Sequence, residues 1–227
     1  MARDFPRLWL FDFDNTLVRL EPCVDWAASR RELEPMLREA GAPPELFERF
    51  PKRNLPLYEA YRAHLASGAM TQRARETLAR ASGIIERFEL LGVDRAAPLE
   101  GAVELLGALR ARGAKIGVVS SNSSPTIRRW FELRGHAQLV DVIAGRDLLL
   151  PLKPAPDSLT HALALTQVEP ADGVYVGDVE GDFEAASAAG IKFYGIAATQ
   201  DSARSFAGLG VGHVFASPAA LLVYLNL

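Results

Sequence analysis

The sequence predicts an α/β fold: a parallel-sheet core interrupted, just after its first strand, by an all-helical insertion. Two observations carry this. After Pro98, short apolar strands alternate with helical segments, which is the pattern of βαβ units and of a parallel sheet with helices on both faces. Between about residues 20 and 97, by contrast, apolar residues recur at helical spacing and no convincing strand intervenes. A chain of 227 residues has room for one large domain, or for one domain with a smaller insert.

Each element has its own reason. Leu8-Trp9-Leu10-Phe11 is a continuous apolar run, as expected of a strand buried on both faces of a parallel sheet. In the insertion, Leu33, Met36, Leu37 and Ala40 fall on one helical face, and Gly41 stands where a C-terminal cap belongs. Tyr58, Tyr61 and Leu65 make a second stripe, and Leu78, Ala81, Ile85 and Phe88 a third that runs from Thr71 to Gly92. Beyond Pro98, a helix over 101–112 ends at Gly113 and is followed by the strand Lys115–Val119. A polar loop then leads into a helix with Pro125 in its first turn, where proline is tolerated. Further strands are expected at Val140–Ala144, Val174–Val176, Phe193–Ile196 and Val214–Phe215. The expected division is a core of residues 1–18 and 98–227 and a helical cap of residues 19–97, with hinges near 18–22 and 93–98.

Composition removes several function classes. Charged residues make up 23% of the chain and apolar ones 49%, which is globular rather than disordered. The net charge of −3 offers no footprint for nucleic acid. A single cysteine, Cys23, excludes an intrachain disulfide framework. No stretch approaches the roughly 20 apolar residues of a membrane span. The apolar run near the start ends at Asp12, too short for a secretory signal. A soluble cytoplasmic protein is expected, with no nucleic-acid or membrane partner. The histidines His64, His136, His161 and His213 lack metal-ligand spacing, Trp9, Trp26 and Trp130 read as packing residues, and Gly208–Gly212 reads as a turn before a strand.

The chemistry lies at strand ends, where open α/β sheets bind their ligands. The first strand runs into Asp12-Phe13-Asp14-Asn15-Thr16, and Lys115–Val119 into Ser120-Ser121-Asn122. Lys153 opens Lys153-Pro154-Ala155-Pro156-Asp157 ahead of a helix, and a later strand runs into Gly177-Asp178-Val179-Glu180-Gly181-Asp182. Carboxylates gathered in one crevice repel one another and raise each other's pKa. A hard divalent cation relieves that conflict, and Mg²⁺ typically takes one or two carboxylates plus phosphate oxygens. Acids, a cation, a lysine and a hydroxyl together make a site for a phosphoryl group, whose oxygens they neutralise during in-line transfer. A carboxylate can itself be the nucleophile.

These residues resemble the motifs of the haloacid dehalogenase superfamily, specifically its phosphoglycolate phosphatase-like members with a helical cap after the first motif. Asp12-Phe13-Asp14-Asn15-Thr16-Leu17-Val18, Val118-Val119-Ser120-Ser121, Lys153-Pro154 and Gly177-Asp178-Val179-Glu180-Gly181-Asp182 occur in the family's order, and the resemblance covers essentially the whole chain. It implies a Rossmann-like core and Mg²⁺-dependent hydrolysis of a small phosphorylated metabolite by a monomer or homodimer. It implies Asp12 as the nucleophile that becomes an aspartyl-phosphate, and Asp14 as the general acid/base, whose pKa should then sit above the free value near 4. Ser120, Ser121, Lys153 and Thr16 are the implied phosphate contacts, with Thr16 also holding the loop. Asp12, Asp14 (through its carbonyl), Asp178 and Asp182 are the implied metal set, Asp182 acting through water or by orienting Lys153. An acid at position 14 argues against carbon–halogen cleavage, which family members lacking it perform.

Two departures qualify the match. Asn15 stands where glycine is common, and Arg19-Leu20-Glu21 replaces the Asp or Glu often found shortly after the first motif. In the cap, Lys52 and Arg53 are candidate substrate-specificity residues for an anionic group. Alternatives from the same superfamily are a sugar phosphomutase and a phosphonate hydrolase that would use Lys52, the cap's only lysine, as Schiff base. A non-catalytic binding module is a fourth reading, set against the presence of Asp12, Asp14, Lys153 and Asp178.

Overall fold

The computed structural model describes residues 5–68 and 70–227. Six strands form one parallel sheet: β1 (Leu8–Phe11), β4 (Lys115–Val119), β5 (Val142–Ala144), β6 (Gly173–Gly177), β7 (Lys192–Ile196) and β8 (Val214–Phe215). Their order across the sheet is β5-β4-β1-β6-β7-β8. The chain therefore winds outward from β1 in both directions, and the crevice at the strand C-termini opens beside that central strand. The expected α/β class is what forms.

The pleat sorts the core into two layers. Trp9 and Phe11 of β1, with Ile116 and Val118 of β4, face one side and pack against α5 (Ala102–Ala111), α6 (Ser124–Leu133) and α10 (Pro218–Tyr224). Leu8 and Leu10, with Val119 and Tyr175, face the other and meet α7 (Asp157–Thr166), α8 (Glu180–Ala188) and α9 (Gln200–Gly208). This is why the first strand is apolar at every position. Each such fully buried Leu or Phe contributes roughly 1.5–3 kcal/mol.

Between β1 and the rest of the sheet lie α1 (Trp26–Glu39), α2 (Pro44–Arg49), α3 (Asn54–Ala66) and α4 (Gln72–Val93). Leu33, Leu37, Tyr58, Tyr61, Leu78 and Ile85 form their own apolar cluster, which Leu152 of the sheet side joins. Thr71 caps α4 by accepting the Ala74 N–H at 3.1 Å. Gly41 takes the left-handed conformation (φ +84°) one residue past the cap of α1, as its sequence position implied.

Two differences from the sequence expectation concern strands. β5 starts two residues later than expected, because Ala137–Leu139 form a helical turn and the Asp141 carboxylate accepts the Ile116 N–H at 2.8 Å beside the strand. The segment thought free of strands is also closed by a short ribbon. β2 (Val18–Arg19) pairs antiparallel with β3 (Ala97–Pro98), Val18 opposite Pro98 and Arg19 opposite Ala97. The two chain crossings between sheet and helices are thus hydrogen-bonded to each other.

Candidate active site

All the motif residues collect at the C-terminal edge of the sheet. Asp12 follows β1 directly, and its N–H still donates to the Val176 carbonyl of β6 at 2.8 Å. The next side chain, Phe13, is buried edge-on against Trp130 at 6.0 Å between ring centroids and pins the loop to α6. The loop then turns through Asn15 in the left-handed region (φ +58°). Asparagine enters that region far more readily than most residues, which explains how it replaces glycine here. The turn brings the Asp14 carboxylate under the start of the helical segment, where it accepts the N–H groups of Leu20 at 2.8 Å and Glu21 at 3.1 Å.

Thr16 departs from the expectation of a phosphate contact. It is fully buried, and its hydroxyl donates to Asp178 Oδ1 at 3.2 Å, tying the first loop to the loop after β6. Lys153, in the loop between β5 and α7, spans the centre. Its Nζ lies 2.7 Å from Asp12 Oδ1, 2.5 Å from Asp182 Oδ1 and 2.8 Å from the Tyr175 hydroxyl. Asp182, in the first turn of α8, accepts the N–H groups of Asp178 and Val179 on its other oxygen at 3.0 and 3.2 Å. Gly177 is required for this: a Cβ there would collide with the Asp182 carboxylate. Ser120, at the end of β4, donates to Asn122 Oδ1 at 3.1 Å.

Asp12, Asp14, Ser120, Ser121, Lys153 and Asp178 line one cleft of about 420 Å³. The helical segment closes it with Trp26, Lys52, Arg53 and Asn54. Lys52 and Arg53 are exposed and bring positive charge to the wall facing the acids. Trp26, expected to serve packing, also forms part of this wall.

Residues 9–196 match the family model described as haloacid dehalogenase-like hydrolase. The chain belongs to this family. It is 32% identical over 220 residues to a phosphoglycolate phosphatase of Cupriavidus necator, covering 93% of this chain and 91% of that one. It is 29% identical over 198 residues to a validoxylamine A 7'-phosphate phosphatase of Streptomyces hygroscopicus subsp. limoneus, covering 85% and 86%. Among solved structures, that of CbbY from Rhodobacter sphaeroides in complex with phosphate shares the fold at a TM-score of 0.68 and 22% identity, covering 98% and 100%. The chain is thus a haloacid dehalogenase-like enzyme of the phosphatase kind.

The electrostatics of this hydrolase site follow from burial. Asp14 is pushed up to about 6, chiefly by burial, against the two N–H groups that favour its charged form. Asp178 is pushed up to about 8 by burial and by the charges of Asp12 and Asp182. Asp12 is raised as well, burial outweighing the attraction of Lys153. Burial alone would lower Lys153, but Asp12 and Asp182 hold it above its ordinary value and so keep it charged. Among the described residues, Asp12, Asp178 and Asp182 each offer one carboxylate oxygen within 4.8 Å of the others. Hard oxygen donors crowded until one holds its proton near neutrality are a donor set that fits a divalent cation.

Sequence reasoning missed three contributors. Tyr175 lies inside a strand and reads as core, yet its hydroxyl meets Lys153, Asp182 Oδ1 at 3.2 Å and the Val119 carbonyl at 2.9 Å. Glu89 and Arg146 are both fully buried and pair with each other at 2.9 Å behind the Ser120 loop. A signal for Glu89 existed, because Ser82, Ile85, Glu89 and Gly92 share one face of α4 at helical spacing.

Proposed function

We propose that this hydrolase is a Mg²⁺-dependent phosphatase acting on a small phosphate monoester, with Asp12 as the nucleophile. The observation that carries the reading is Lys153: its ammonium bridges Asp12 and Asp182 in the cleft that Ser120 and Asp178 also line. One Asp12 oxygen attacks phosphorus as the ester P–O bond breaks. The leaving oxygen takes its proton from Asp14, whose pKa of about 6 leaves an appreciable protonated fraction near neutral pH. Asp14, now a carboxylate, then draws a proton from water as that water attacks the aspartyl-phosphate. The bond from phosphorus to Asp12 breaks, and inorganic phosphate leaves. Lys153 and Ser120 hold the phosphoryl oxygens throughout, with Ser121 beside them. Asp12, Asp178 and the main-chain carbonyl of Asp14 would hold the cation, which supplies positive charge against the developing charge on those oxygens. Asp182 orients Lys153.

Residues 19–97 act in this reading as a cap domain over a core of 1–18 and 98–227, excluding water from the cleft. Lys52 and Arg53 favour a substrate carrying a second anionic group, and the likeness to a phosphoglycolate phosphatase supports a small phosphorylated acid. We read the enzyme as cytoplasmic; no helix among the described residues is long and apolar enough to cross a membrane. The test is hydrolysis of an aryl phosphate, and then of phosphoglycolate, with and without Mg²⁺, beside Asp12→Asn. Metal-dependent turnover that vanishes in the variant is expected. Turnover that survives in Asp12→Asn would remove Asp12 as the nucleophile. For specificity, Lys52→Ala with Arg53→Ala should raise KM for phosphoglycolate more than for the aryl ester.

A further inference from the structure

The buried pair Glu89–Arg146 takes no part in the chemistry above, yet most of its hydrogen-bond partners lie in the loop that carries Ser120 or at the start of the helix that follows it. Glu89, near the end of α4, accepts the Asn122 Nδ2 amide on Oε1 at 3.1 Å. On Oε2 it accepts the Ser123 N–H at 3.1 Å and the Thr126 hydroxyl at 3.2 Å. Arg146, just after β5, donates from one side to both Glu89 oxygens, at 2.9 and 3.2 Å. The same guanidinium reaches the Ser121 carbonyl at 2.6 Å, and the Arg146 main-chain N–H reaches the Asn122 carbonyl at 3.0 Å. Its Nε donates to the Ser82 hydroxyl at 3.2 Å, a second anchor on α4. Asn122 passes the arrangement on, since its Oδ1 accepts the Ser120 hydroxyl at 3.1 Å and its N–H lies 3.3 Å from the same oxygen.

Stability is a poor reason for such a pair. A buried ion pair often gives no more than an apolar pair of similar volume would. What the pair supplies is direction. Residues 121, 122 and 123 are each gripped, at a carbonyl, a side-chain amide or an N–H, by two side chains that are themselves fully buried.

We propose that Glu89 and Arg146 are positioning residues for the phosphate-binding loop. They fix its backbone so that Ser120 Oγ, held by the Asn122 N–H, is placed for its hydroxyl to turn from Asn122 Oδ1 to a phosphoryl oxygen, and because Glu89 sits on the helical insertion, the shape of that loop depends on the insertion being seated. The proposal rests on the phosphatase reading, and its test separates the two. In the full-length protein with Mg²⁺, the dissociation constant of inorganic phosphate is measured by calorimetry for wild type, Glu89→Gln, Arg146→Lys and the double variant Glu89→Met/Arg146→Met. Aryl phosphate kinetics and melting midpoints are recorded beside it, at a temperature well below each midpoint. A displaced loop should weaken phosphate binding and raise KM by about ten- to a hundred-fold, the worth of one hydrogen bond to a charged group. The change in kcat should be smaller. Arg146→Lys keeps the charge but not the fork, so it should lose affinity while staying folded.

A purely structural role predicts the reverse: lowered melting midpoints with unchanged phosphate affinity and KM, and that result overturns the proposal. Should Glu89→Gln not fold, Asn122→Ala breaks the same chain between Glu89 and Ser120, and unchanged phosphate affinity there overturns it equally. Wild-type protein that neither binds phosphate nor turns over substrate would overturn the phosphatase reading along with this one. Intact wild-type behaviour with unaffected variants overturns this one alone.

Discussion

Replacing Asp182 with asparagine keeps the shape of the side chain and removes its charge, so it weighs what Lys153 gains from that carboxylate against the repulsion that Asp12 and Asp178 feel from it. Asp182 is fully buried, with Oδ1 2.5 Å from the ammonium and Oδ2 receiving two main-chain N–H groups at 3.0 and 3.2 Å. An asparagine amide has one acceptor and one donor end. Whichever way it turns, its NH₂ faces either the ammonium or the two N–H donors. Breaking one partner of a buried pair costs about 3–5 kcal/mol. In a protein of this size each kcal/mol moves the melting midpoint by about 2–4 °C, so a fall of about 6–20 °C is expected. The assay is thermal unfolding by circular dichroism at neutral pH, wild type beside Asp182→Asn. A midpoint within about 2 °C of wild type, corresponding to no more than about 1 kcal/mol, would refute the argument that Lys153 needs the Asp182 charge beside that of Asp12.

Three further outcomes are expected. Burial alone would raise Glu89, but Arg146 and the hydrogen bonds from Ser123 and Asn122 hold its carboxyl below the ordinary value of 4.5. Its contribution is therefore full above the unfolded pKa and is lost as pH falls through the folded one. Urea midpoints should show wild type losing more stability than Glu89→Gln between about pH 5 and about pH 3. The comparison must be a difference, since Asp12, Asp14 and Asp178 are raised and act with the opposite sign. At Asn15, glycine should be nearly neutral, whereas valine in the left-handed region should cost about 1–2 kcal/mol in the same urea assay. Chelation of divalent cations should abolish hydrolysis, and Mg²⁺ at about a hundred times its dissociation constant should both restore it and stabilise the fold by about 2.7 kcal/mol. A melting midpoint indifferent to Mg²⁺ would argue against a cation held by Asp12 and Asp178.

What the sequence made legible follows the physics of each feature. Asp12, Ser120 and Asp178 stand out because a parallel strand is an apolar run, and polar residues at its end mark the edge where ligands bind; Lys153 stands out only by its place ahead of a helix. The ribbon of Val18–Arg19 with Ala97–Pro98 was illegible, because a two-residue strand has no periodicity to read. Thr16 sits in a polar loop and reads as a phosphate contact, and only the third dimension shows its hydroxyl turned to Asp178. Glu89 and Arg146 escape a sequence reading because lone ionic groups are rarely fully buried; here the two are buried as a pair. Tyr175 hides in the opposite way, since an aromatic in a strand looks like packing and its hydroxyl does its work at the far end of the ring.

The place of β1 in the sheet has a consequence for how the protein comes into being. Leu8 pairs on one side with Lys115 and on the other with Gly173. During synthesis the strand that bears Asp12 emerges first and its neighbours emerge long afterwards. The helices from Trp26 to Val93 emerge in between, and their contacts with one another lie closer in sequence than the pairings of β1 with β4 and β6. Local contacts form fast, and distant strand pairings wait on loop closure. The nascent chain should therefore carry partly packed helices, with Arg146 and Leu152 still to come, while the Asp12 carboxylate stands on an unpaired apolar segment. That segment, Leu8-Trp9-Leu10-Phe11, is the part of this chain that a chaperone has most reason to hold.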